Sequence, residues 1–503
     1  MSTLETVLQN QTTSNILEAP QKSTRPSPLI VQTNPTLNIA LQNETNTSNV
    51  YAYITGLAIN NSYSVFLLQS DGATPYYPAS PSSNGSQLAV NCAIPLGAPG
   101  NTTIVTIPQL AGARVWFSVN GTLTFLLNPG PGLVEPSVTN PSDPNINTYW
   151  DFCELTYNSS QLFANITYVD FVSLPISLTL TNTSGETQHV SGLPSNGLDT
   201  ICSGLTAQDA IDNAGWSNLI VASNGANLRA LSPNNGIVMN SSLFSGYYEP
   251  YVNAVWNYYS KNTLTIDTQA SWGSVNGEVS NQTFIFSGIG SWSMPSTADI
   301  FNCSSGAFSN TAGEIGNIAA RLCASFNRST LLLDSDQPDN ENPSTYYQTS
   351  PTNHYSRIVH AANLDGLGYA FPYDDVCPTN GANQSGSVSD SSPQLLTIAV
   401  GGNNAYAKLR HRRGLEVDHV QTQLPVSSQK QLTWSGDSTE TLPAEVQQRD
   451  LEKGTDGLGQ NQAISESRIA FPEPIRRFLE RISAVSLPAP VLFDEIFSAF
   501  PYL

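Results

Sequence analysis

From Leu37 onward the apolar residues fall in short runs between polar turn residues: LNIAL, VYAYITGLAI, YSVFLLQ, TTIVTIP, ARVWFSV and LTFLL. Runs of this length at regular spacing predict the strands of a β-sandwich or barrel. The segment GARVWFSVNGTLTFLLN sets Asn120-Gly121 between two apolar runs, which predicts a hairpin. A proline-rich loop over 128–147 follows, of a length that suits the rim of a cleft. After Asn182 the period changes. Helical spacing appears over 206–214, 251–259 and 315–326, with the strand-like runs LTIDTQ and QTFIFSG between them. This half reads as a mixed α/β layer beside the β-rich one. Residues 1–33, polar and with three prolines, read as a disordered lead-in. From residue 403 a basic run gives way to Gln, Glu, Ser and Gly, and 403–503 reads as a mostly disordered, dispensable tail.

The stretch WDFCELTYNSSQLFANITYVDFVSLPISLT, from Trp150, carries the most chemistry. Side-chain alternation puts Trp150, Phe152, Glu154 and Thr156 on one face of a strand, and Ile166, Tyr168, Asp170 and Val172 on one face of the next run. A turn within 158–162 centres the antiparallel pair near residue 162, with Glu154 and Asp170 roughly opposite. Two carboxylates in one cleft are the minimum machinery for glycosidic hydrolysis: one donates a proton to the leaving oxygen, and the other activates water or attacks. The acid is the carboxyl beside aromatic rings and near a like charge, where ionisation is disfavoured. The plainer reading is that each acid edges a strand and caps a backbone group.

Composition narrows the classes. The net charge is −20, and eight of the nineteen Lys and Arg precede residue 403, so the body is strongly acidic. Nucleic acid is excluded as a partner, because phosphates require a basic surface. Fifteen Asn-x-Ser/Thr triplets and an even six cysteines point to a secreted glycoprotein with one to three disulfides. Glycans at Asn158 or Asn165 would crowd the cleft, so those two are expected to be bare. The N-terminus MSTLETVLQNQ lacks the pattern of a signal peptide, which leaves a missing first exon, unconventional export or retention inside the cell. No run reaches the roughly 18 apolar residues of a membrane span. The five histidines form no zinc spacing, and neither metal nor cofactor is expected. Sugars stack on flat rings, which makes Trp150, Phe163, Tyr168, Tyr247, Tyr248 and Trp272 candidate contacts, although an aromatic at alternating spacing is more often core.

DFCELTYN followed by ITYVDFVSLPISL resembles the catalytic segment of glycoside hydrolase family 64, and FSNTAGEIGNIAARLCASFNRSTLL and NHYSRIVHAANLDGLGYAFPYDDVC agree with it. YAFPYDDV is similar to the closing motif of thaumatin-like proteins. The resemblance covers about residues 34–402. It implies an endo-β-1,3-glucanase that releases short laminari-oligosaccharides, with a thaumatin-like β-rich domain (34–181) and a mixed α/β domain (182–402) flanking a wide groove. It implies inversion, with Glu154 as general acid and Asp170 as general base, and Asp143, Thr156, Asn158 and Thr167 holding the glucan. Phe163 stands where the family tends to have Trp, which keeps a stacking face and loses an N–H donor. The expected partner is β-1,3-glucan and the expected state a secreted or wall-bound monomer. The rivals are a thaumatin-like protein that binds wall glucan without cutting it, and a structural wall glycoprotein.

Overall fold

A computed structural model describes residues 33–379 and 381–402. The tail and all but the last residue of the lead-in lie outside the described residues. Among the described residues the strands form one eight-stranded, two five-stranded and two three-stranded sheets. Strand dominates over helix, as the short apolar runs predict.

The eight-stranded sheet positions the site. Across it run Ser387–Asp390, Leu162–Ile166, Tyr149–Tyr157, Leu110–Val119, Val50–Ala58, Ser64–Leu68 and Pro75–Tyr76, with Ile94–Pro95 added beside Val50–Ala58. Every pairing in it is antiparallel. The long central strands are buried on both faces. The neighbouring five-stranded sheet orders Thr187–Val190, Ile176–Asn182, Pro393–Val400, Thr36–Asn43 and Thr102–Pro108. Ile39 and Leu41 from this sheet, with Ile54, Val115, Phe117 and Leu155 from the other, belong to one apolar core.

Four sequence readings change. No hairpin forms at Asn120-Gly121. Asn120 does adopt a positive φ, but both edges of Leu110–Val119 are already taken by Val50–Ala58 and Tyr149–Tyr157, so Leu126–Asn128 pairs instead with Gly132–Val134 and Ser86–Gln87. The helix read over 206–214 begins earlier, spanning Gly197–Asp212. A helix the periodicity did not single out, His354–Ala362, lies on the NHYSRIVHAAN segment. Finally, Ser387–Asp390 and Pro393–Val400 fall within the 182–402 span yet complete the two large sheets. The second of these strands lies parallel to Thr36–Asn43 and antiparallel to Ile176–Asn182.

The helix Glu249–Tyr259 and the nearly buried helix Gly313–Arg328 match the spacing read from sequence. Gly313–Arg328 also carries the disulfide Cys303–Cys323 and the enclosed Arg328. The Arg328 guanidinium donates to Val376 O (2.5 Å), Asp374 O (2.9 Å) and Asp374 Oδ1 (3.1 Å). His360 Nε2 meets Asp374 Oδ2 at 2.8 Å. A charge this deep persists only when paired, so the YAFPYDDV segment is locked to the helix through Asp374.

Candidate active site

Alternation along Tyr149–Tyr157 sends Cys153 and Leu155 to the core between the sheets, and Trp150, Phe152, Glu154 and Thr156 to the opposite face. Register extends that face across the neighbours. Phe152 stands opposite Trp116, Glu154 opposite Arg114 on one side and Asn165 on the other, Thr156 opposite Phe163, and Arg114 opposite Thr55. One end is aromatic: the Trp116–Phe152 and Trp150–Phe171 ring centroids are each 4.7 Å apart. The other end is polar, made by Thr55, Arg114, Glu154, Thr156 and Asn165.

A β-bulge marks the polar end. In both ladders flanking Leu110–Val119 the register shifts around Gly112, at Ala111–Gly112 against Tyr149–Tyr157 and at Gly112–Ala113 against Val50–Ala58. Gly112 takes φ +49°, which a residue with a side chain adopts at a cost. Its freed N–H donates to Thr156 Oγ1 at 3.2 Å, so the Thr156 hydroxyl closes the bulge two residues from Arg114.

Glu154 is 6 % exposed. Its Oε1 accepts from Arg114 Nε at 3.3 Å, and the guanidinium lies over the Phe152 ring at 4.6 Å. Burial is the largest influence on its carboxyl and raises the pKa. Arg114 pulls down and the Asp170 charge pushes up again, with hydrogen bonds from Arg114 and Asn165 also lowering it; the net shift is upward. Arg114 also pairs with Glu135, Nη1 to Oε2 at 2.6 Å. Burial works against the Arg114 charge, but Glu135, Glu154 and Asp170 outweigh it and hold the guanidinium protonated more firmly than usual.

Asp170 does not face Glu154 across the ladder, which corrects the expected register. Tyr157 pairs with Leu162 and Glu154 with Asn165, so the hairpin is centred between Ser159 and Ser160, and Leu162–Ile166 ends before Asp170. The turn is tighter than expected because Asn158 Oδ1 accepts from the N–H groups of Ser160 (2.8 Å) and Gln161 (3.0 Å). Asp170, partly exposed, sits in a bend before Phe171–Val172. Its carbonyl accepts from Ser232 N and from Asn235 Nδ2, each at 2.9 Å. Just upstream, Tyr168 N donates to Tyr369 O (2.7 Å) and Tyr355 Oη donates to Tyr168 O (2.7 Å). The segment holding Asp170 is therefore clamped from three sides.

The expected glucan contacts separate. Trp150 is 1 % exposed, enclosed by Trp116, Phe171 and the Arg229 guanidinium, and offers no face to a sugar. Tyr168, 2 % exposed, donates to Asn363 Oδ1, and Tyr248 is wholly buried. These three are corrected to core: Trp150 on the strand Tyr149–Tyr157, Tyr168 just after Leu162–Ile166, and Tyr248 at the N-terminal end of the helix Glu249–Tyr259. Asp143 is buried and folds its own loop, accepting from Ser137 N and Asn145 N. Thr156 and Thr167 are nearly buried on the site side, and Thr167 bridges to Tyr369. Phe163 and Asn158 are partly exposed, as is Tyr247, while Trp272 is well exposed.

Arg114, Glu135 and Asn165 were not read as site residues. A lone Arg inside the apolar run ARVWFSV was a usable signal for the first. Asn165, a sequon expected to be bare, is 3 % exposed and donates to Ile166 O, which leaves a glycan no room there. Among the described residues no group of three or more His, Cys, Asp or Glu is placed to hold a metal ion, and no helix is long and apolar enough to cross a membrane.

A family model described as beta-1,3-glucanase, that of glycoside hydrolase family 64, matches residues 35–400. Glucan endo-1,3-beta-glucosidases of Cellulosimicrobium cellulans and of Arthrobacter sp. (strain YCWD3) are each 32 % identical over 302 residues, 58 % of this chain and 53 % of theirs. The chain thus spans about half the length of these curated relatives. A crystal structure of a laminaripentaose-producing β-1,3-glucanase in complex with laminaritetraose aligns with a TM-score of 0.65 and 30 % identity, over 73 % of this chain and 98 % of that one. A β-1,3-glucanase domain from Clostridium beijerinckii, 21 % identical with a TM-score of 0.58, over 73 % of this chain and 98 % of that one, shares the fold. On the match across 35–400, carried by a β-rich fold held in common, the chain belongs to glycoside hydrolase family 64.

Proposed function

We propose that the chain hydrolyses β-1,3-glucan in endo fashion to short oligosaccharides, with Glu154 as general acid and Asp170 as general base. The observation that carries this reading is the environment of Glu154: a buried carboxyl on the polar end of an aromatic face, its proton favoured by burial and by the Asp170 charge. Protonated Glu154 gives its proton to the glycosidic oxygen as the C1–O bond breaks. Asp170 takes a proton from the water that attacks C1 from the opposite face. Inverting pairs stand about 6.5–9.5 Å apart, and the offset of Asp170 beyond the paired strand supports that spacing over a directly facing pair. The family's substrate names support β-1,3-glucan, and the laminaritetraose bound to the 30 %-identical relative supports a groove that takes a chain of several glucose units. Asn158, Phe163 and Thr167 are the proposed groove contacts, whereas Thr156, whose hydroxyl accepts from the Gly112 N–H, is assigned to the bulge. A thaumatin-like domain with Ser387–Asp390 and Pro393–Val400 returned to it, a monomeric state and a secreted or wall location belong to the same proposal.

The test is incubation of the full chain and its Glu154→Gln and Asp170→Asn variants with laminarin, following products and their anomeric form in the first minutes. We expect short oligosaccharides born as the α-anomer, loss of at least a hundredfold in turnover in each variant, and azide rescue of Asp170→Asn alone. Full activity of Glu154→Gln would end the acid assignment. Retention on insoluble glucan with no product from the unaltered chain would leave a binding function.

A further inference from the structure

The Arg114 guanidinium is shared unequally between two carboxylates. Glu135 Oε2 takes Nη1 at 2.6 Å, the length of a strong charge-assisted bond, while Glu154 Oε1 is left with Nε at 3.3 Å, beyond the usual range for one. The arrangement is fixed from behind. Trp116 Nε1 donates to Thr55 Oγ1 at 3.0 Å, and the Thr55 hydroxyl donates to Glu135 Oε1 at 3.2 Å, so both Glu135 oxygens are occupied and turned toward Arg114. Thr55 and Arg114 belong to adjacent strands of the large sheet, whereas Glu135 comes from the proline-rich rim just after Gly132–Val134. The rim therefore reaches into the site.

We propose that Glu135 is a positioning residue for the general acid: by occupying the near side of Arg114 it draws that cation away from Glu154, so that Glu154 carries its proton at the pH where the enzyme works. The inference rests on the reading of Glu154 as the acid. The charged and titratable groups around Glu154 are Arg114 from the neighbouring strand, Asp170 from the bend before Phe171–Val172, and Glu135 behind Arg114. Cys153, next on its own strand, faces the opposite way. An unopposed Arg114 would favour the Glu154 carboxylate and remove the proton the reaction needs. Glu135 supplies the opposing charge while leaving Arg114 its stacking on Phe152.

Removing the Glu135 charge lowers the pKa of Glu154, and because the protonated acid is the active form, the basic limb of kcat/KM against pH moves toward acid. The experiment measures that profile on laminarin for the full chain, Glu135→Gln and Glu135→Asp. We expect Glu135→Gln to shift the basic limb by about one pH unit toward acid, roughly a tenfold loss of rate above the limb. Glu135→Asp, which keeps the charge on a shorter arm, shifts it less and supplies the reading if the Gln variant fails to fold. Equal loss at every pH with the limb unmoved would overturn the proposal and leave Glu135 a brace of the rim. Azide rescue of Glu135→Gln would also overturn it, making Glu135 itself the base. Glu154→Gln run alongside separates the two failures: its inactivity with an unmoved Glu135→Gln limb sinks this inference alone, while its full activity sinks the underlying reading.

Discussion

Thr156→Val tests whether the Thr156 hydroxyl belongs to the bulge or to the glucan. The side chain is 7 % exposed and its Oγ1 is the acceptor for the Gly112 N–H at 3.2 Å. Valine keeps the shape, so no cavity opens. What is lost is the acceptor, and a buried backbone N–H left without one costs about 1–3 kcal/mol. At about 2.1 cal/mol/K of unfolding entropy per residue, a folded span of this size loses roughly 1.3 °C in Tm per kcal/mol, so the variant should melt about 1–4 °C lower. Thr156→Ser, which restores the hydroxyl, should recover most of that. Because the bulge sets the position of Arg114, kcat on laminarin should fall more than KM rises. The assay is a thermal melt followed by tryptophan fluorescence, reporting on buried Trp116 and Trp150, together with initial rates. A Thr156→Val protein that melts with the unaltered chain and differs only in KM would refute the bulge role and make Thr156 a glucan contact.

Other outcomes follow from the buried charges. Asp374→Asn leaves Arg328 enclosed without its counter-charge and sets an amide N–H₂ against one of three donors, so urea unfolding should show a loss of about 3–5 kcal/mol. His354 is held neutral by burial, its pKa lowered to about 4, with Arg357 adding to the effect and Asp212 opposing it. The unfolded chain takes up a proton near pH 6.5 and the folded one does not, so stability present above pH 6.5 falls as the pH drops toward 4, by about 3 kcal/mol. His354→Gln should flatten that slope in urea titrations at pH 7, 6 and 5, and an unchanged slope would exclude His354 as its source.

The strands were legible because short apolar runs recur between polar turn residues, and side-chain alternation placed Glu154 and Thr156 on one face with Trp150 and Phe152. It could not separate surface from core on that face: Trp150 and Glu154 share it, and only the neighbours Trp116, Phe171 and Arg229 enclose the indole. Register was lost to a side chain. Asn158 capping its own turn tightens the hairpin by several residues, enough to carry Asp170 beyond the paired strand. The Asn-Gly hairpin failed for a nonlocal reason, since both edges of Leu110–Val119 are filled by strands distant in sequence. Glu135 lies in a loop with no period, 21 residues from the Arg114 it holds, and nothing local announces that pairing.

The insertion of Pro393–Val400 between Thr36–Asn43 and Ile176–Asn182 carries a cost for synthesis. A ribosome delivers both flanking strands long before the one that joins them. From residue 182 to residue 400, at about 5–20 residues per second, the wait is roughly 10–40 s. Through that interval two half-sheets, each with an open hydrogen-bonding edge, stand ready to pair with one another out of register or with another nascent chain. Any truncation that removes the segment near residue 400 makes that vulnerable state permanent, however far it lies from Glu154 along the chain.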